Sequence, residues 1–264
     1  MDVRVGIVGA GGRMGAEACR AVAATDDLEL VAAVDPGATG RTLAEVAHLD
    51  GPAGAVVVAD HLDALVDAAV EVAVEFTGPA SVGDNLRWLL EHDIHAVVGA
   101  TGITEEQLEQ ARSLATTSQA NALVVPNFAI GAVLLLRFAA EAARHLPHVE
   151  VVELHHDGKV DAPSGTALRT AELIAAARQQ VPQVPLGDER HPGARGAEHA
   201  GVRVHSVRLP GLVAHQEVLF GGQGQTLTLR HDSIDRTSFM PGVLLACRSV
   251  GGLDGLVVGL DAVL

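Results

Sequence analysis

A glycine-rich turn between a strand pattern and a helical pattern is the feature that most restricts the fold of this chain. Residues 3–8 are apolar and β-branched, which predicts a buried strand, and residues 9–15 then contain four glycines. Residues 13–24 follow with apolar positions at helical spacing. Such a turn lets the backbone approach a pyrophosphate, and the next helix directs its free N–H groups at that phosphate. The pattern predicts a nucleotide-binding strand–turn–helix unit.

An acidic residue follows the second predicted strand, residues 28–34. Asp35 lies about 20 residues beyond the last glycine of the turn, where a carboxylate can accept hydrogen bonds from a ribose. The usual G-x-G-x-x-G spacing would put its last glycine at Met14, and here that glycine is Gly15. A tight turn without a ligand is the alternative interpretation, which the order of strand, turn, helix, strand and acid disfavours.

The choice between the two nicotinamide cofactors stays open at this point. Asp35 favours NAD(H), because a carboxylate repels a 2′-phosphate. Arg13 or Arg41 would supply positive charge for NADP(H), although Arg13 is equally compatible with a solvated position in the first helical turn.

The rest of the first half alternates strand and helix patterns. Further strands are predicted at 55–59, 70–76, 96–99 and 122–125, with helices at 82–91 and 105–114. Strands that are apolar on both faces and alternate with helices predict a parallel sheet covered on both sides. We therefore expect an α/β, Rossmann-like, doubly wound dinucleotide-binding domain over residues 1–127, completed by the C-terminal segment 237–264.

The pattern changes near residue 127. A long helix (131–146), a strand (150–155) and a helix (165–179) precede three strand patterns, at 202–209, 213–220 and 225–231. Residues 181–201 are rich in proline, glycine and charge and predict a long surface loop with a functional or interface role. Residues 128–236 are thus expected to form an α+β substrate-binding and oligomerisation domain with a mixed or antiparallel sheet.

Composition excludes several classes of protein. The net charge of -15 repels nucleic acid, and one tryptophan with no tyrosine leaves few stacking platforms. Cys19 and Cys247 are far apart and outside any metal-spaced motif, which favours buried thiols in a reducing compartment. We find no pattern of a signal peptide or membrane span, so a cytoplasmic protein without membrane or nucleic-acid partners is expected.

The densest chemistry lies in residues 153–167. His155, His156 and Lys159 leave a predicted strand, and the chain then enters a helix at Gly165 and Thr166, whose N–H groups and hydroxyl can bind a carboxylate. Histidine and a desolvated lysine are suited to proton transfer near neutral pH.

Two other interpretations apply to these histidines: residues without a catalytic role, and ligands of a metal ion. The chain has 13 histidines, and most histidines in proteins serve no catalysis. A metal site is disfavoured, because adjacent histidines on a strand point to opposite faces and no cysteine or carboxylate cluster completes a ligand set.

The same segment resembles a known family. The string His155-His156-x-x-Lys159-x-Asp161-Ala162-Pro163-Ser164-Gly165-Thr166-Ala167 is similar to the signature of the dihydrodipicolinate reductases, also named 4-hydroxy-tetrahydrodipicolinate reductases. The resemblance covers essentially the whole chain, with further matches at 8–15, 76–77, 99–102, 126–131, 230–233 and 236–239.

The resemblance implies roles for individual residues. His155 would be a proton donor or acceptor and Lys159 the proton donor, while His156, Gly165 and Thr166 would bind substrate. The residues implied in cofactor binding are Gly9, Ala10, Gly11, Gly12, Arg13, Met14, Asp35, Gly99, Ala100, Thr101, Val125, Pro126, Asn127 and Phe128.

The resemblance also implies a reaction, the reduction of 4-hydroxy-tetrahydrodipicolinate to tetrahydrodipicolinate by NADH or NADPH, with loss of water, in the diaminopimelate route to lysine. A homotetramer assembled through the sheet of the second domain is implied as well. Two positions depart from the family pattern: Ala100 replaces a common threonine, and Glu75 replaces a common aspartate. A non-catalytic nicotinamide-binding sensor, or a reductase of a different cyclic imine, remains the alternative.

Overall fold

The structure is a computed structural model that describes residues 2–178 and 189–264. The chain folds into two compact units. Unit 1 contains Met1–Ile130 and Arg236–Leu264, and unit 2 contains Gly131–Asp235. The boundaries expected from sequence were 1–127 with 237–264, and 128–236.

The strands and helices alternate through the first half of the chain. The strands are β1 (Val3–Val8), β2 (Leu28–Val34), β3 (Val58–Ala59), β4 (Val72–Glu75), β5 (His95–Val98), β6 (Ala122–Val124), β7 (His148–His155), β8 (Ala197–His199), β9 (Val202–Arg208), β10 (Ala214–Gly222), β11 (Gln225–Ser233) and β12 (Leu256–Val258). The α-helices are α1 (Arg13–Ala23), α2 (Leu43–Val46), α3 (Gly51–Gly54), α4 (Asp63–Asp67), α5 (Val82–Glu91), α6 (Glu105–Ala115), α7 (Ile130–Ala143), α8 (Gly165–Ala177) and α9 (Met240–Ser249).

Unit 1 is built on a seven-stranded parallel sheet in the order β12-β6-β5-β4-β1-β2-β3. Its strands are apolar on both faces because helices cover both. The buried face residues of α5, Leu86, Leu89 and Leu90, pack with one face of the sheet. Helix α1 contacts β1 and β2, while α9 contacts α1, β4 and β5. The predicted doubly wound parallel sheet is confirmed.

The C-terminal segment belongs to unit 1 for two reasons. Helix α9 buries Val243, Ala246 and Cys247, and β12 extends the sheet by parallel pairing with β6. Carbonyl and amide groups of the β6 edge are thereby paired within the same sheet.

Unit 2 contains a five-stranded sheet in the order β11-β10-β7-β9-β8. It is mixed, because β7 and β9 run parallel while the other neighbours run antiparallel. Helices α7 and α8 bury Leu135, Ala139 and Ile174 against the central strand residues Val151 and Val218. The opposite face carries polar and half-exposed side chains, as alternation along each strand requires.

The expected surface loop at 181–201 needs correction at its end. Residues 197–199 form β8, an edge strand antiparallel to β9. Three residues are too few for an alternating pattern to emerge from sequence. Residues 181–188 of the loop prediction lie outside the described residues. In the described part of the chain, no helix combines the length and apolar character needed to cross a membrane.

Candidate active site

The glycine turn of unit 1 is packed too closely for side chains at two positions. Gly9 has φ +83°, and a Cβ there would lie 2.7 Å from the carbonyl oxygen of Phe76. A Cβ at Gly15 would lie 2.0 Å from the carbonyl oxygen of Gly9. Gly15 therefore provides the close approach between helix α1 and the turn. This explains why the chain has a glycine at position 15 although the common spacing places it at 14.

Asp35 lies beside this turn, as the sequence predicts. Its Oδ2 accepts a hydrogen bond from the Gly11 N–H at 2.8 Å, and its Oδ1 accepts one from the Gly37 N–H at 2.8 Å. Each carboxylate oxygen has a second lone pair that a ribose hydroxyl can use. The carboxylate thus fixes the turn and remains able to bind a sugar.

The start of α1 is suited to a phosphate. The helix begins after Gly12, which has no side chain to cap the N–H groups of the first turn, and that turn contains no acidic residue. Free N–H groups and the positive end of the helix dipole favour an anion at this position. Together with Gly9, Gly15 and Asp35, the helix start fits a dinucleotide.

The other predicted cofactor residues lie at the same edge of the sheet. Gly99 follows β5, and a Cβ there would lie 2.3 Å from the Phe76 ring and 2.6 Å from the Phe128 ring. These two rings meet edge to face with centroids 5.7 Å apart. The Asn127 side-chain oxygen accepts from the Ala129 N–H at 2.9 Å. The carboxyl ends of parallel strands share one edge, where open α/β sheets bind ligands.

Four more predicted cofactor residues lie next to these in sequence: Ala100 and Thr101 follow Gly99, and Val125 and Pro126 precede Asn127. Ala100 is half-buried and Thr101 is exposed, so the backbone of this loop is accessible at the edge of the sheet. Val125 and Pro126 connect β6 to Asn127, and the Val125 N–H donates to the Val98 carbonyl at 2.8 Å.

Glu75 places a carboxyl group inside unit 1 at the end of β4. Its side chain is fully buried, and burial raises its pKa. Hydrogen bonds from Thr77 and Asn85 to Oε1 oppose that rise only partly. Oε2 has no hydrogen-bond partner among the described residues.

In unit 2, His155 is the last residue of β7 and its Nδ1 contacts the carboxylate of Glu153. Glu153 is fully buried, and both its oxygens accept from the guanidinium of Arg208 at 2.8 Å. The sequence did not indicate Glu153 or Arg208 as site residues. The sequence contains one indication of the role of Glu153. This residue lies in register with the inward apolar positions of the strand, and a carboxylate at such a position requires hydrogen-bond or charge partners.

The charges of this cluster follow from its contacts. Burial opposes ionisation of Glu153, but hydrogen bonds from Arg208, Ser206 and His155 outweigh it, so the pKa of Glu153 is lowered. Burial lowers the pKa of His155, and the positive charges of Lys159 and Arg208 act in the same direction, while Glu153 opposes them. At neutral pH the cluster therefore contains a carboxylate and a neutral imidazole.

Lys159 follows in the loop after β7, and its side chain is 21% exposed. Its ammonium donates to both oxygens of Asp161, at 2.7 and 2.8 Å, and this contact lowers the pKa of Asp161. Lys159 is the only lysine in the sequence, so 17 of the 18 basic residues counted as Lys and Arg are arginines. Arginine does not release its proton in proteins, whereas lysine can. The chain thus has a lysine where a proton donor is expected.

The start of α8 is adjacent to this cluster. Ser164 caps the helix by accepting from the Ala167 N–H at 3.2 Å, and the Ser164 N–H donates to Glu153 at 3.2 Å. Gly165 is exposed and Thr166 half-buried in the first turn. Their N–H groups are available for an anion. The structure therefore brings His155, Gly165 and Thr166 together through Glu153.

His156 is exposed and follows His155 directly, so its side chain is accessible to solvent at the start of the loop after β7. Across residues 2–178 and 189–264 there is no cluster of three or more potential metal-ligating side chains.

Comparison with known proteins agrees with this geometry. The family model described as "Dihydrodipicolinate reductase, N-terminus" matches residues 3–128, and the model described as "Dihydrodipicolinate reductase, C-terminus" matches residues 131–264. Relatives named 4-hydroxy-tetrahydrodipicolinate reductase occur in Mycolicibacterium vanbaalenii, 52% identical over 99% of both chains, and in Nocardia farcinica, 53% identical over 99% of this chain and 98% of the relative.

Solved structures give the same result. A dipicolinate-bound dihydrodipicolinate reductase from Paenisporosarcina sp. TG-14 superposes with a TM-score of 0.89 at 44% identity, and each chain is covered completely. An amine dehydrogenase from Mycobacterium smegmatis, at a TM-score of 0.71 and 16% identity over 99% of this chain and 96% of that one, shares the fold. The resemblance inferred from sequence is confirmed: the chain belongs to the dihydrodipicolinate reductase family and is an NAD(P)H-dependent oxidoreductase.

Proposed function

We propose that this chain reduces 4-hydroxy-tetrahydrodipicolinate to tetrahydrodipicolinate, with loss of water, in the diaminopimelate route to lysine. The observation that carries the proposal is the loop after β7, in which the single lysine and an oriented histidine adjoin a helix start that can bind a carboxylate. The names of the relatives, at 50% identity or more over nearly the whole chain, support it.

The substrate is a six-membered cyclic imine with two carboxylates and a hydroxyl group, so it requires two sites for negative charge. The Gly165 and Thr166 N–H groups, with the Thr166 hydroxyl, would bind one carboxylate. His156 and Lys159 would bind the other. The dipicolinate in the Paenisporosarcina relative is a planar dicarboxylate, and it supports a site of this kind.

Proton transfer is assigned to Lys159 and His155. Loss of water from the substrate would create a conjugated ring, to which a nicotinamide held by unit 1 would supply the hydride at C4. Lys159, as an ammonium, would donate a proton to the neighbouring carbon and regain one from solvent. His155 would accept or donate the proton that accompanies loss of the hydroxyl, and positioned acid–base groups of this type typically contribute about 10²–10⁴-fold in rate.

The cofactor is assigned to unit 1. The turn from Gly9 to Met14 would contact the pyrophosphate and Asp35 the ribose, while the loops 99–101 and 125–128 would line the nicotinamide end. Asp35 supports NADH. Arg41 is exposed and donates to the Glu45 carbonyl at 3.2 Å, so its charge is available to a 2′-phosphate as well. We therefore propose that both cofactors are used.

We propose a cytoplasmic location for this chain. Cys19 and Cys247 are buried free thiols, which supports a reducing cytoplasm. Recovery of the chain outside the cytoplasmic fraction of its cells would contradict this location. We also propose a homotetramer assembled through the sheet of unit 2.

The function is tested by a coupled assay. A synthase forms the unstable substrate from pyruvate and aspartate semialdehyde, and oxidation of NADH or NADPH is followed by its absorbance. Oxidation that depends on the synthase, with either cofactor, is the expected result, and the two rates give the cofactor preference. Cofactor binding without synthase-dependent oxidation would overturn the proposal in favour of a sensor or a reductase of another imine.

A further inference from the structure

Glu153 is a buried carboxylate for which the proposed chemistry provides no direct role. It lies on the helix-covered face of the sheet in unit 2, between the apolar core residue Val151 and the site residue His155. Its side chain is fully buried, and a buried carboxylate is stable only with strong partners.

The partners of Glu153 come from three segments of the unit. His155 at the end of β7 contacts it through Nδ1, and the Ser164 N–H before α8 donates to Oε1 at 3.2 Å. Arg208 at the end of β9 donates through both terminal nitrogens at 2.8 Å, and one of these also donates to the Asp161 carbonyl at 2.7 Å. One carboxylate thus connects the residues on both sides of the loop that carries Lys159.

The contact with His155 selects one tautomer of the ring. An ionised carboxylate can only accept hydrogen bonds, so the proton of the neutral imidazole must be on Nδ1. Nε2 then retains its lone pair and is free to take a proton from the substrate. The Arg208 fork keeps Glu153 ionised and therefore keeps this tautomer in place.

We propose that Glu153, together with Arg208, is the positioning residue of this active site: it fixes His155 in the Nδ1–H tautomer and ties the start of α8 to the end of β7. The inference rests on the proposed role of His155. Glu153 does not touch the substrate. It acts through the orientation of the imidazole and of the carboxylate-binding helix start.

The charged groups around His155 predict how the pH profile responds. Glu153 raises the pKa of His155, whereas burial and the charges of Lys159 and Arg208 lower it. Removing the Glu153 charge leaves only groups that lower the pKa. The limb of the kcat/KM profile that belongs to His155 should therefore move to lower pH.

The test is Glu153→Gln in the coupled assay. Glutamine keeps the shape, but its amide N–H₂ can donate to Nδ1 and so favours the opposite tautomer. We expect kcat to fall about 10- to 100-fold, the range typical for partners that orient metal-ligating histidines through the second ring nitrogen. The pH limb should move to lower pH, and the Kd for NADH, a property of unit 1, should stay within about twofold. Glu172→Gln is the matched control, because Glu172 is an exposed glutamate whose oxygen also contacts a histidine, His199, at 3.2 Å.

Each outcome decides the inference. Wild-type kcat in Glu153→Gln, or a reduced kcat with an unmoved pH limb, would overturn it, the second result pointing to a structural role alone. The variant His155→Gln separates the proposed role of His155 in proton transfer from the positioning role of Glu153. If this variant keeps wild-type kcat, the proposed role of His155 is wrong. If it loses kcat while Glu153→Gln does not, only the positioning role fails.

A measurement on the unaltered protein reports the tautomer of His155 without altering Glu153. In ¹⁵N spectra of histidine-labelled protein above the His155 pKa, with the His155→Gln spectrum used for assignment, Nδ1 of His155 should carry the proton. A proton on Nε2 would overturn the inference.

Discussion

At the scale of single residues, Glu75 shows how an uncommon side chain changes the balance of stability. The carboxyl group is fully buried, one oxygen accepts from Thr77 and Asn85, and the other has no partner among the described residues. Burial raises the pKa of Glu75 in the folded protein above its value in the unfolded chain. The protonated form therefore stabilises the fold at low pH, and this contribution is lost as the pH rises through the folded pKa.

Replacing Glu75 by glutamine should remove this dependence on pH. The variant Glu75→Gln is neutral at every pH, so at pH 8 its free energy of unfolding should exceed that of the unaltered protein by roughly 1 kcal/mol, the size of a typical desolvation cost. The difference should disappear below about pH 4, where the glutamate is protonated in both states. Urea unfolding followed by fluorescence of Trp88, the single tryptophan and a residue of α5 in unit 1, measures the effect.

Glu91→Gln is the control for that experiment, because Glu91 is an exposed glutamate at the end of α5. It should change neither the free energy of unfolding nor its pH dependence. A Glu75→Gln variant less stable than the unaltered protein at pH 8 would contradict the assignment of a desolvated carboxyl group.

The sequence indicated the residues to which we assign proton transfer, but it did not indicate the partners that contact them in the structure. His155, Lys159 and Thr166 lie within one short motif, so their types and spacing indicated proton transfer next to an anion site. The contact between Glu153 and Arg208 spans 55 residues and exists because β7 and β9 are neighbours in register. Strand order and register are set by tertiary packing, which no local pattern reports.

At the scale of elements, the sheet of unit 2 has one covered and one uncovered face. Along β7 and β10, Val151 and Val218 point to the helices, while Val152 and Leu154 lie half-buried on the other face. Leu219 on the same face is 39% exposed. A partly apolar sheet face of this kind is suited to contact with a second copy of the chain.

The proposed homotetramer is tested at this face. Sedimentation should give a mass four times the 27.2 kDa of the chain. Leu219→Arg should produce smaller species, because it replaces an exposed apolar side chain of this face by a long charged one that a second copy would have to bury. Val66→Arg, at a 49% exposed position of unit 1, should leave the mass unchanged. A monomeric unaltered protein, or a tetrameric Leu219→Arg variant, would contradict assembly through this sheet.

Element prediction succeeded for several strongly patterned segments, although the long helix predicted at 131–146 is α7, which ends at Ala143. Strands β1 and β2 and helix α5 begin and end at the predicted residues. Helices α2, α3 and α4 were missed, because four or five residues are about one helical turn and show no period. The edge strand β8 was missed for the same reason.

At the scale of the whole molecule, we propose that cofactor binding belongs to unit 1 and proton transfer to unit 2. Unit 1 carries the glycine turn and Asp35, and unit 2 carries the loop with Lys159. A change in the loop of unit 2 should therefore affect proton transfer and leave cofactor affinity intact.

The most direct test of this account uses Lys159→Arg and Lys159→Ala, with kcat from the coupled assay and the Kd for NADH from a separate titration. Arginine keeps the positive charge for the substrate carboxylate and for Asp161 but does not release its proton. We predict that both variants lose about 100-fold or more in kcat, that Lys159→Arg keeps a KM nearer the unaltered value, and that the Kd for NADH changes by less than about twofold. A Lys159→Arg variant with near-unaltered kcat would show that the lysine acts as a charge alone, and a Lys159→Ala variant with unaltered kcat would contradict the central claim.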